Sequence, residues 1–223
     1  VSYGVTGRSD FDAYKSLSTY SSNGTYLMDG NWVTGFAPSV NANPNLGWEK
    51  LVAINAGIDF SLLGGRLRGS VDWFDRQSKD LLYNYTAPQP PFVWSNILVN
   101  VGTTTNTGVE VTLEGDIFKK KDFTWTMSGN WSTGQTKLSK LSNDVYQASY
   151  VDMYQKPGVG TTEYFFRIQE GSKVGQFYGY KFAGASETGD MMVYDKEGNV
   201  IPAASAAPED KVYIGNGTPK HYV

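Results

Sequence analysis

VAINAGIDFSLLGGRLRGSVDW, residues 52–73, has the residue pattern from which the fold is predicted. On both sides of Gly64-Gly65, apolar side chains occupy every second position, and small, polar or charged side chains occupy the positions between them. Successive residues of a β-strand point to opposite faces, so this alternation predicts two strands that share one apolar face and one polar face. Because a Gly-Gly dipeptide suits a tight two-residue turn, the stretch predicts an antiparallel hairpin.

The register of this hairpin follows from the position of its turn. With Gly64-Gly65 as the loop, apolar residues face apolar ones and polar residues face polar ones, which is the condition that fixes a register. The predicted pairs are Phe60 with Gly69, Ile58 with Val71, Ala56 with Trp73, Ser61 with Arg68, and Gly57 with Asp72. Phe74 is an exception, because it falls on the polar face.

Residues 109–131 repeat the alternation. A connection at residues 118–122 would place Ile117 opposite Phe123 and Gly115 opposite Trp125, with a large ring over a strand glycine. We therefore expect strands over about residues 51–77 and 108–133, and long outer loops at about residues 7–44, 78–101 and 138–220. Short turns on one side of a sheet and long loops on the other are typical of an outer-membrane β-barrel.

The number of membrane-spanning strands in the last of these loops is constrained. If the chain starts another inward strand near His221, residues 138–220 must hold an even number of spanning strands, and zero is the simplest number. A small hairpin around Lys196–Asn199 is expected above the membrane.

The polar face of the strands carries the charges that a wet barrel lumen would carry. The candidate lumen-facing residues are Asp59, Arg68, Asp72, Glu110 and Glu114. The fold class is therefore predicted to be all-β, an antiparallel transmembrane β-barrel segment with long extracellular loops. Alternation alone also fits a soluble β-sandwich, in which one sheet face packs on a core, so this alternative stays open.

Composition excludes several classes of function. The net charge is −3, from 22 acidic and 19 basic residues, so there is no basic footprint for a nucleic-acid partner. The chain has no cysteine and a single histidine, His221, which leaves no basis for a thiolate zinc site, a histidine cluster or a Ser-His-Asp triad. Paired carboxylates lie in the predicted strands, where salt bridging is expected. No enzyme, catalytic residue, metal or cofactor is predicted, and Asp190, Asp195 and Glu197 do not have the spacing of a calcium loop.

Five motifs follow one another along the chain and together resemble one family. They are NPNLGWE at residues 43–49, NVGTTTNTGVE at 100–110, GQFYGYK at 175–181, ETGD at 187–190 and YIGNGTPK at 213–220. In this order and spacing they are similar to the SusC/RagA-like TonB-dependent outer-membrane transporters. Roles in building the barrel explain the motifs better than substrate contact, since Trp48 suits a membrane interface and Gly102 and Gly108 suit a bend or bulge.

The resemblance implies a 22-stranded barrel in the cell outer membrane, closed by an N-terminal plug domain. Such a transporter imports bulky nutrients, glycans or peptides, with energy relayed through TonB and with a SusD-like surface lipoprotein as a lid. On this resemblance, residues 1–223 are expected to form a partial barrel domain, with the plug domain, the TonB-contacting segment and the terminal strands outside them. The alternative function is a soluble carbohydrate-binding or surface-interaction module.

The segment from residue 83 to residue 98 is the candidate ligand-binding loop. Its aromatic residues are Tyr83, Tyr85, Phe92 and Trp94, and three prolines stiffen it. Stiff loops lose little entropy on binding, and exposed rings can stack on sugars or on peptide side chains. The competing interpretation is that these rings pack the loop against its neighbours.

Overall fold

The computed structural model describes residues 1–9, 12–142, 146–155, 157 and 163–223. Apart from two single-turn 3-10 helices at Ala203–Ser205 and Pro208–Asp210, the regular structure of these residues is all strand. The strands are β1 Ser2–Arg8, β2 Tyr20–Met28, β3 Asn31–Pro38, β4 Glu49–Leu62, β5 Leu67–Thr86, β6 Asn96–Lys120, β7 Phe123–Lys140, β8 Tyr150–Gln155, β9 Tyr164–Gln169, β10 Gln176–Gly179, β11 Phe182–Ala185, β12 Met191–Tyr194, β13 Val200–Pro202 and β14 Val212–Asn216. Among the described residues, the structure contains no helix that is long and apolar enough to cross a membrane.

Five long strands form one antiparallel sheet in the order β1-β4-β5-β6-β7, which we call the wall. Its two central strands, β5 and β6, are 20 and 25 residues long. Strands of globular proteins usually have roughly 3–10 residues, so the wall is far longer than the sheets of a soluble sandwich. The predicted fold class, all-β and antiparallel, is confirmed.

The first hairpin has the predicted register. Ala56 pairs with Trp73 and Ile58 with Val71. The turn itself is larger than predicted, because Leu62 pairs with Leu67 and residues 63–66 form the connection. Leu63, Gly64 and Gly65 all have positive φ, at 54°, 66° and 83°. The two glycines adopt this conformation at low steric cost, which explains their place in the turn.

The predicted register of the second hairpin is wrong by two residues. Gly115 pairs with Met127, not with Trp125, and a bulge at Ile117 precedes the pair of Phe118 with Trp125. Residues 119 and 120 belong to β6, so the turn holds only residues 121 and 122. A shift of two keeps every side chain on its face, and alternation therefore cannot distinguish the two registers.

The expected outer loops contain more structure than the sequence indicated. β5 and β6 stay paired as far as Thr86 and Asn96, so their connection is residues 87–95 rather than 78–101. A hairpin of β2 and β3 occupies the expected loop at 7–44. Two further sheets, β14-β10-β9-β8 and β11-β12-β13, lie within 138–220. The expected small hairpin is present as β12 and β13, which flank residues 195–199.

The chain comes back to the wall at its end, near the residue that the sequence indicated. The backbone groups of Ser132 and Tyr222 exchange two hydrogen bonds of 2.9 Å in an antiparallel bridge. After β7 ends at Lys140, none of the strands in the described residues up to 220 is a member of the wall, in agreement with the expected number of zero. Backbone hydrogen bonds between residues 136–138 and 171–174 also fix the four-stranded sheet to the end of β7.

The buried apolar cluster of the described residues lies at the loop end of β5 and β6. It contains Ala87, Ile97, Val99 and Val101. By contrast, the apolar face of the wall is open, with Ile58 70% and Met127 63% exposed. A sheet that leaves such side chains uncovered presents an apolar surface to its surroundings, as a lipid-facing wall does.

Candidate functional site

All five predicted lumen-facing residues lie on one face of the wall. Arg68 pairs with Glu114 across β5 and β6, and Asp72 pairs with Glu110 in the same two strands. Asp59 on β4 pairs with Ser70 of β5. Since paired residues point to the same side of a sheet, these five side chains form one polar surface opposite the apolar face.

An ion-pair network occupies the short-turn end of this polar face. The Arg68 guanidinium donates a hydrogen bond to the Glu114 carboxylate and lies 3.7 Å from Asp116. Asp116, only 5% exposed, also accepts hydrogen bonds from the Thr126 hydroxyl at 2.9 Å and the Lys119 ammonium at 3.4 Å. Charge-assisted hydrogen bonds of this kind hold side chains in fixed positions. The network therefore orders the polar face where the hairpins turn.

Farther from the turns, the polar face carries two carboxylates that form no ion pair with the described residues. Asp72 and Glu110 stand directly opposite each other, and in the described part of the chain no cation lies within ion-pair distance of either. Like charges directly opposite on neighbouring strands are unfavourable unless water solvates them. This face is therefore suited to an aqueous space and not to a dry core.

Phe74, the apolar exception on the polar face, is explained by two glycines. Its ring is 8% exposed and lies over Gly108 and beside Gly134. The Arg76 guanidinium is 4.6 Å from the centre of the ring. A large ring that covers strand glycines fills the space that their missing side chains leave. The sequence predicted such a contact at Gly115, whereas the structure has it here and where Phe60 covers Gly69.

The four aromatic residues of the candidate loop do not form one open platform. Tyr83, Tyr85 and Phe92 pack against the buried apolar cluster at the loop end of β5 and β6. The Tyr85 ring also lies 5.2 Å from that of Tyr146. Trp94 remains 45% exposed, and its indole Nε1 donates a 2.8 Å hydrogen bond to the carbonyl of residue 38.

Asparagine side chains explain the first two motifs. Asn43 donates to the carbonyl of Leu98 at 2.8 Å. The Asn100 amide accepts from the Gly47 N–H at 2.7 Å and donates to the Gly47 carbonyl at 2.9 Å. Asn41 makes the same kind of contact with the backbone of Trp94. Asparagine can donate and accept at once, so these residues clamp the segment before β4 to β6.

Two glycine positions complete the explanation of these motifs. A Cβ at Gly7 would lie 2.9 Å from the Trp48 ring, so the indole rests directly on β1. Gly102 lies at a register shift, where β5 carries an extra residue, in agreement with its expected role at a bulge.

The third and fifth motifs pair with one another. Gln176 pairs with Asn216 and Phe177 with Gly215, so GQFYGYK and YIGNGTPK supply the antiparallel strands β10 and β14. The sequence did not indicate this partnership, because 31 residues separate the two motifs and neither alternates clearly. The ETGD motif forms a turn in which the Thr188 hydroxyl donates to Asp190 at 2.6 Å.

Arg167 holds the four-stranded sheet together. Its guanidinium makes two hydrogen bonds of 2.7 and 2.8 Å with Asp152 and lies 3.5 Å from the centre of the Tyr150 ring. The Tyr178 ring lies 4.3 Å away. The hydrogen bonds that Arg167 donates to Asp152 raise the pKa of Arg167 further above its ordinary value, so the guanidinium stays charged.

The acidic residues at the β12–β13 turn serve the turn itself. The Asp195 carboxylate accepts hydrogen bonds from the backbone N–H groups of Glu197 and Asn199, at 2.9 and 2.8 Å, and from the Asn199 side chain at 2.9 Å. These bonds, that of the Asn199 side chain above all, lower the pKa of Asp195. In the described residues there is no group of three or more potential ligands that could hold a metal ion.

Known proteins match nearly the whole length of the chain. A family model described as "TonB dependent receptor-like, beta-barrel" matches residues 1–205. The chain is 33% identical over 198 residues to TonB-dependent receptor P39 of Formosa agariphila, covering 89% of this chain and 17% of that protein. It is 28% identical over 224 residues to TonB-dependent receptor SusC of Bacteroides thetaiotaomicron, covering 98% and 20%.

Solved structures agree with these matches. The RagAB peptide importer in its open-open state superimposes with a TM-score of 0.76 at 26% identity, covering 98% of this chain and 22% of that one. The chain thus spans about a fifth of the length of these relatives. The predicted SusC/RagA-like resemblance is confirmed, and the matches favour the barrel over the soluble sandwich. The chain belongs to the TonB dependent receptor-like, beta-barrel family.

Proposed function

We propose that this chain forms part of the wall and outer loops of an outer-membrane transporter that takes up bulky nutrients with energy from TonB. The observation that carries the proposal is the contrast between the two faces of the wall. One face exposes Ile58 and Met127, as a lipid-facing surface would, and the other carries Asp72 and Glu110, for which the described residues provide no countercharge within ion-pair distance. A wall that separates lipid from an aqueous lumen needs this contrast.

The proposed cargo is an oligosaccharide or a peptide, and the proposed partner is a SusD-like surface lipoprotein that covers the outer sheets. The similarity to SusC and to the RagAB peptide importer supports both parts of the proposal. Asp59, Arg68, Asp72, Glu110 and Glu114 are proposed to line the lumen. The outer sheets provide a surface of ordered strands on which a lid could rest.

Uptake by the full-length protein tests the proposal. Cells that lack the gene would be compared with complemented cells for uptake of labelled oligosaccharides and labelled peptides, with and without a protonophore. We expect uptake that requires both the gene and the proton gradient, and a surface lipoprotein that co-purifies with the transporter. Equal uptake of every substrate in the presence and absence of the gene would contradict the transport function.

Trp94 is the member of the aromatic loop that we propose as a ligand contact. Its side chain is exposed, whereas Tyr83, Tyr85 and Phe92 are partly buried and are proposed to act by supporting the loop. Trp94→Ala removes both the ring and the hydrogen bond to residue 38. Trp94→Phe keeps a ring but loses the bond, so it serves as the matched control.

We expect Trp94→Ala to weaken substrate binding by about tenfold, since a stacked ring contributes on the order of 1 kcal/mol or more. Trp94→Phe should keep most of the affinity. If the alanine variant binds substrate as well as the wild type, Trp94 is an anchor of the loop and not a ligand contact.

A further inference from the structure

Five lysines lie on the apolar side of the wall, beyond the end of its apolar band. The register joins them in two neighbouring rows. In one row Lys50 pairs with Lys79, Lys79 with Thr103, and Thr103 with Lys140. In the other row Thr105 pairs with Lys137, and Lys137 bridges to Lys173. Paired residues share a face, so all five point to the side on which Ile58 and Met127 are exposed.

The height of these lysines follows from strand geometry. Trp73 is the last apolar side chain before Lys79 on this face of β5, and Lys79 follows it by six residues. At about 3.3 Å per residue and a tilt of about 40°, Lys79 lies ~15 Å above Trp73 along the membrane normal. Lysine stems lie along apolar surface and extend their amines toward the interface. The lysine rows therefore stand at the depth of lipid headgroups, on the loop side.

The charge of this surface is mostly uncompensated. The Lys50 ammonium lies 3.0 Å from Asp80. For the other four lysines, the described residues offer no carboxylate within ion-pair distance. Lys137, Lys140 and Lys173 are exposed. Ammonium groups this crowded repel one another, and a bound anion would relieve the repulsion.

A cleft of about 920 Å³ lies beside Lys173, between the wall and the paired strands β10 and β14. The wall contributes Trp73, Val109 and Gln135 to it, all from the lipid-facing side. The Gln135 side-chain Nε2 is buried there and has no hydrogen-bond partner among the described residues. A buried donor without a partner is unfavourable, and an acceptor from a ligand would satisfy it.

From these contacts we infer that the lysine rows and the cleft bind the phosphorylated headgroup of a lipid in the outer leaflet. The lysines contact the phosphates, and Trp73 and Gln135 contact the uncharged part of the headgroup. Basic clusters next to a membrane-spanning segment recognise anionic headgroups in this way. The inference rests on the proposed position of the wall in the outer membrane, and it adds a binding site that is independent of cargo.

The test uses the full-length transporter purified in detergent and delipidated. Diphosphorylated lipid A is titrated and the bound lipid is counted by native mass spectrometry, with the same lipid stripped of phosphate and with inorganic phosphate as comparison probes. The variant Lys137→Gln/Lys173→Gln removes two charges from the lysine rows. The matched control is Lys121→Gln/Lys196→Gln, which also removes two charges. Lys121 lies in the turn between β6 and β7, on the other side of the membrane, and Lys196 lies in the turn between β12 and β13. Heat-dependent gel mobility verifies that each variant is folded.

Each lysine near an anionic headgroup contributes about fivefold in affinity, so the row variant should bind diphosphorylated lipid A roughly 25-fold more weakly. The control should bind it like the wild type, and the phosphate-free lipid should bind weakly to all proteins. Equal affinity of the row variant and the wild type would overturn the inference, as would complete displacement of the lipid by millimolar inorganic phosphate. Uptake is measured in parallel: loss of lipid binding with normal uptake supports the inference, whereas absent uptake by a wild type that binds lipid counts against the transport function alone.

Discussion

At the scale of single residues, glycines leave space for a large aromatic ring on the polar face of the wall. The Phe74 ring lies on the polar face because Gly108, its pair on β6, and Gly134 on β7 leave room for it. A Cβ at Gly108 would be 2.5 Å from the Phe74 ring and 2.3 Å from the Thr133 carbonyl oxygen. A Cβ at Gly129 on β7, by contrast, would meet no atom within 4 Å. Of Gly108 and Gly129, packing therefore requires a glycine only at Gly108.

We therefore expect Gly108→Ala to destabilise the folded barrel by about 2 kcal/mol, the usual cost of an overpacked site. Gly129→Ala should leave stability unchanged within about 0.5 kcal/mol. The measurement is the urea midpoint of the full-length protein in detergent, followed by heat-dependent gel mobility. Equal midpoints for the two variants would show that the ring does not rest on Gly108.

The sequence predicted the polar face at this scale but not the packing of the rings. Alternation assigns a face to every strand residue, so Asp59, Arg68 and Glu114 could be placed together from period two alone. Whether Tyr85 is open to ligand depends on Tyr146, which lies 61 residues away and contacts it only in the folded chain. Local patterns contain no information about such a contact.

At the scale of elements, the two hairpins of the wall show what fixes a register. The first has glycines at the centre of its turn, which leaves one pairing that matches both faces. The second has a polar run at residues 119–122 that resembled a loop, and the bulge at Ile117 changes the register by one residue at the turn. The extensions of β5 and β6 were missed for a different reason. Ile97, Val99 and Val101 are buried in a cluster against which Tyr83, Tyr85, Phe92 and Tyr146 pack. This packing keeps β5 and β6 paired where a loop was expected, and it depends in part on a residue that is distant in sequence.

The four-stranded sheet depends on the contact of Arg167 with Asp152. We expect Arg167→Met to destabilise this sheet locally by about 2 kcal/mol, since it removes two charge-assisted hydrogen bonds from a pair that is 21% exposed on each side. Arg167→Lys should recover only part of the loss, because lysine keeps the charge but not the planar fork. Hydrogen exchange of β8 and β9 is the measurement. A double-mutant cycle with Asp152→Leu that gives no coupling energy would refute the role of the pair.

The turn between β12 and β13 should respond to acid. Because the folded turn lowers the pKa of Asp195, it favours the charged carboxylate. Its contribution is fully present above the ordinary pKa of an aspartate, near 4, and is lost as pH falls through the lower folded pKa. We expect the Glu197 and Asn199 amides to lose protection from exchange only below about pH 4. Asp195→Asn should abolish this pH dependence, and unchanged protection of the wild type down to pH 2 would contradict the prediction.

At the scale of the whole molecule, the question is what covers the apolar face of the wall. Leu113 and Thr112 are neighbours on β6, both are exposed, and they point to opposite sides. Leu113 lies midway along the apolar band, in the row of Gly69 and Gly129. If this face contacts lipid, an arginine at residue 113 must enter the middle of the bilayer, whereas an arginine at residue 112 meets water.

Leu113→Arg should therefore destabilise the barrel in lipid by about 2–4 kcal/mol, the cost of an arginine at the midplane of a barrel wall. Thr112→Arg should be tolerated, since its neighbours on the polar face include Asp59 and Glu114. Folding of the full-length variants into lipid vesicles, followed by urea titration, measures the difference. The same Leu113 variant in a soluble protein with this face in water would lose little stability, because exposed positions usually tolerate substitution within about 0.5 kcal/mol. A difference of less than that between the two variants would mean that the open face of the wall is not the face that contacts lipid.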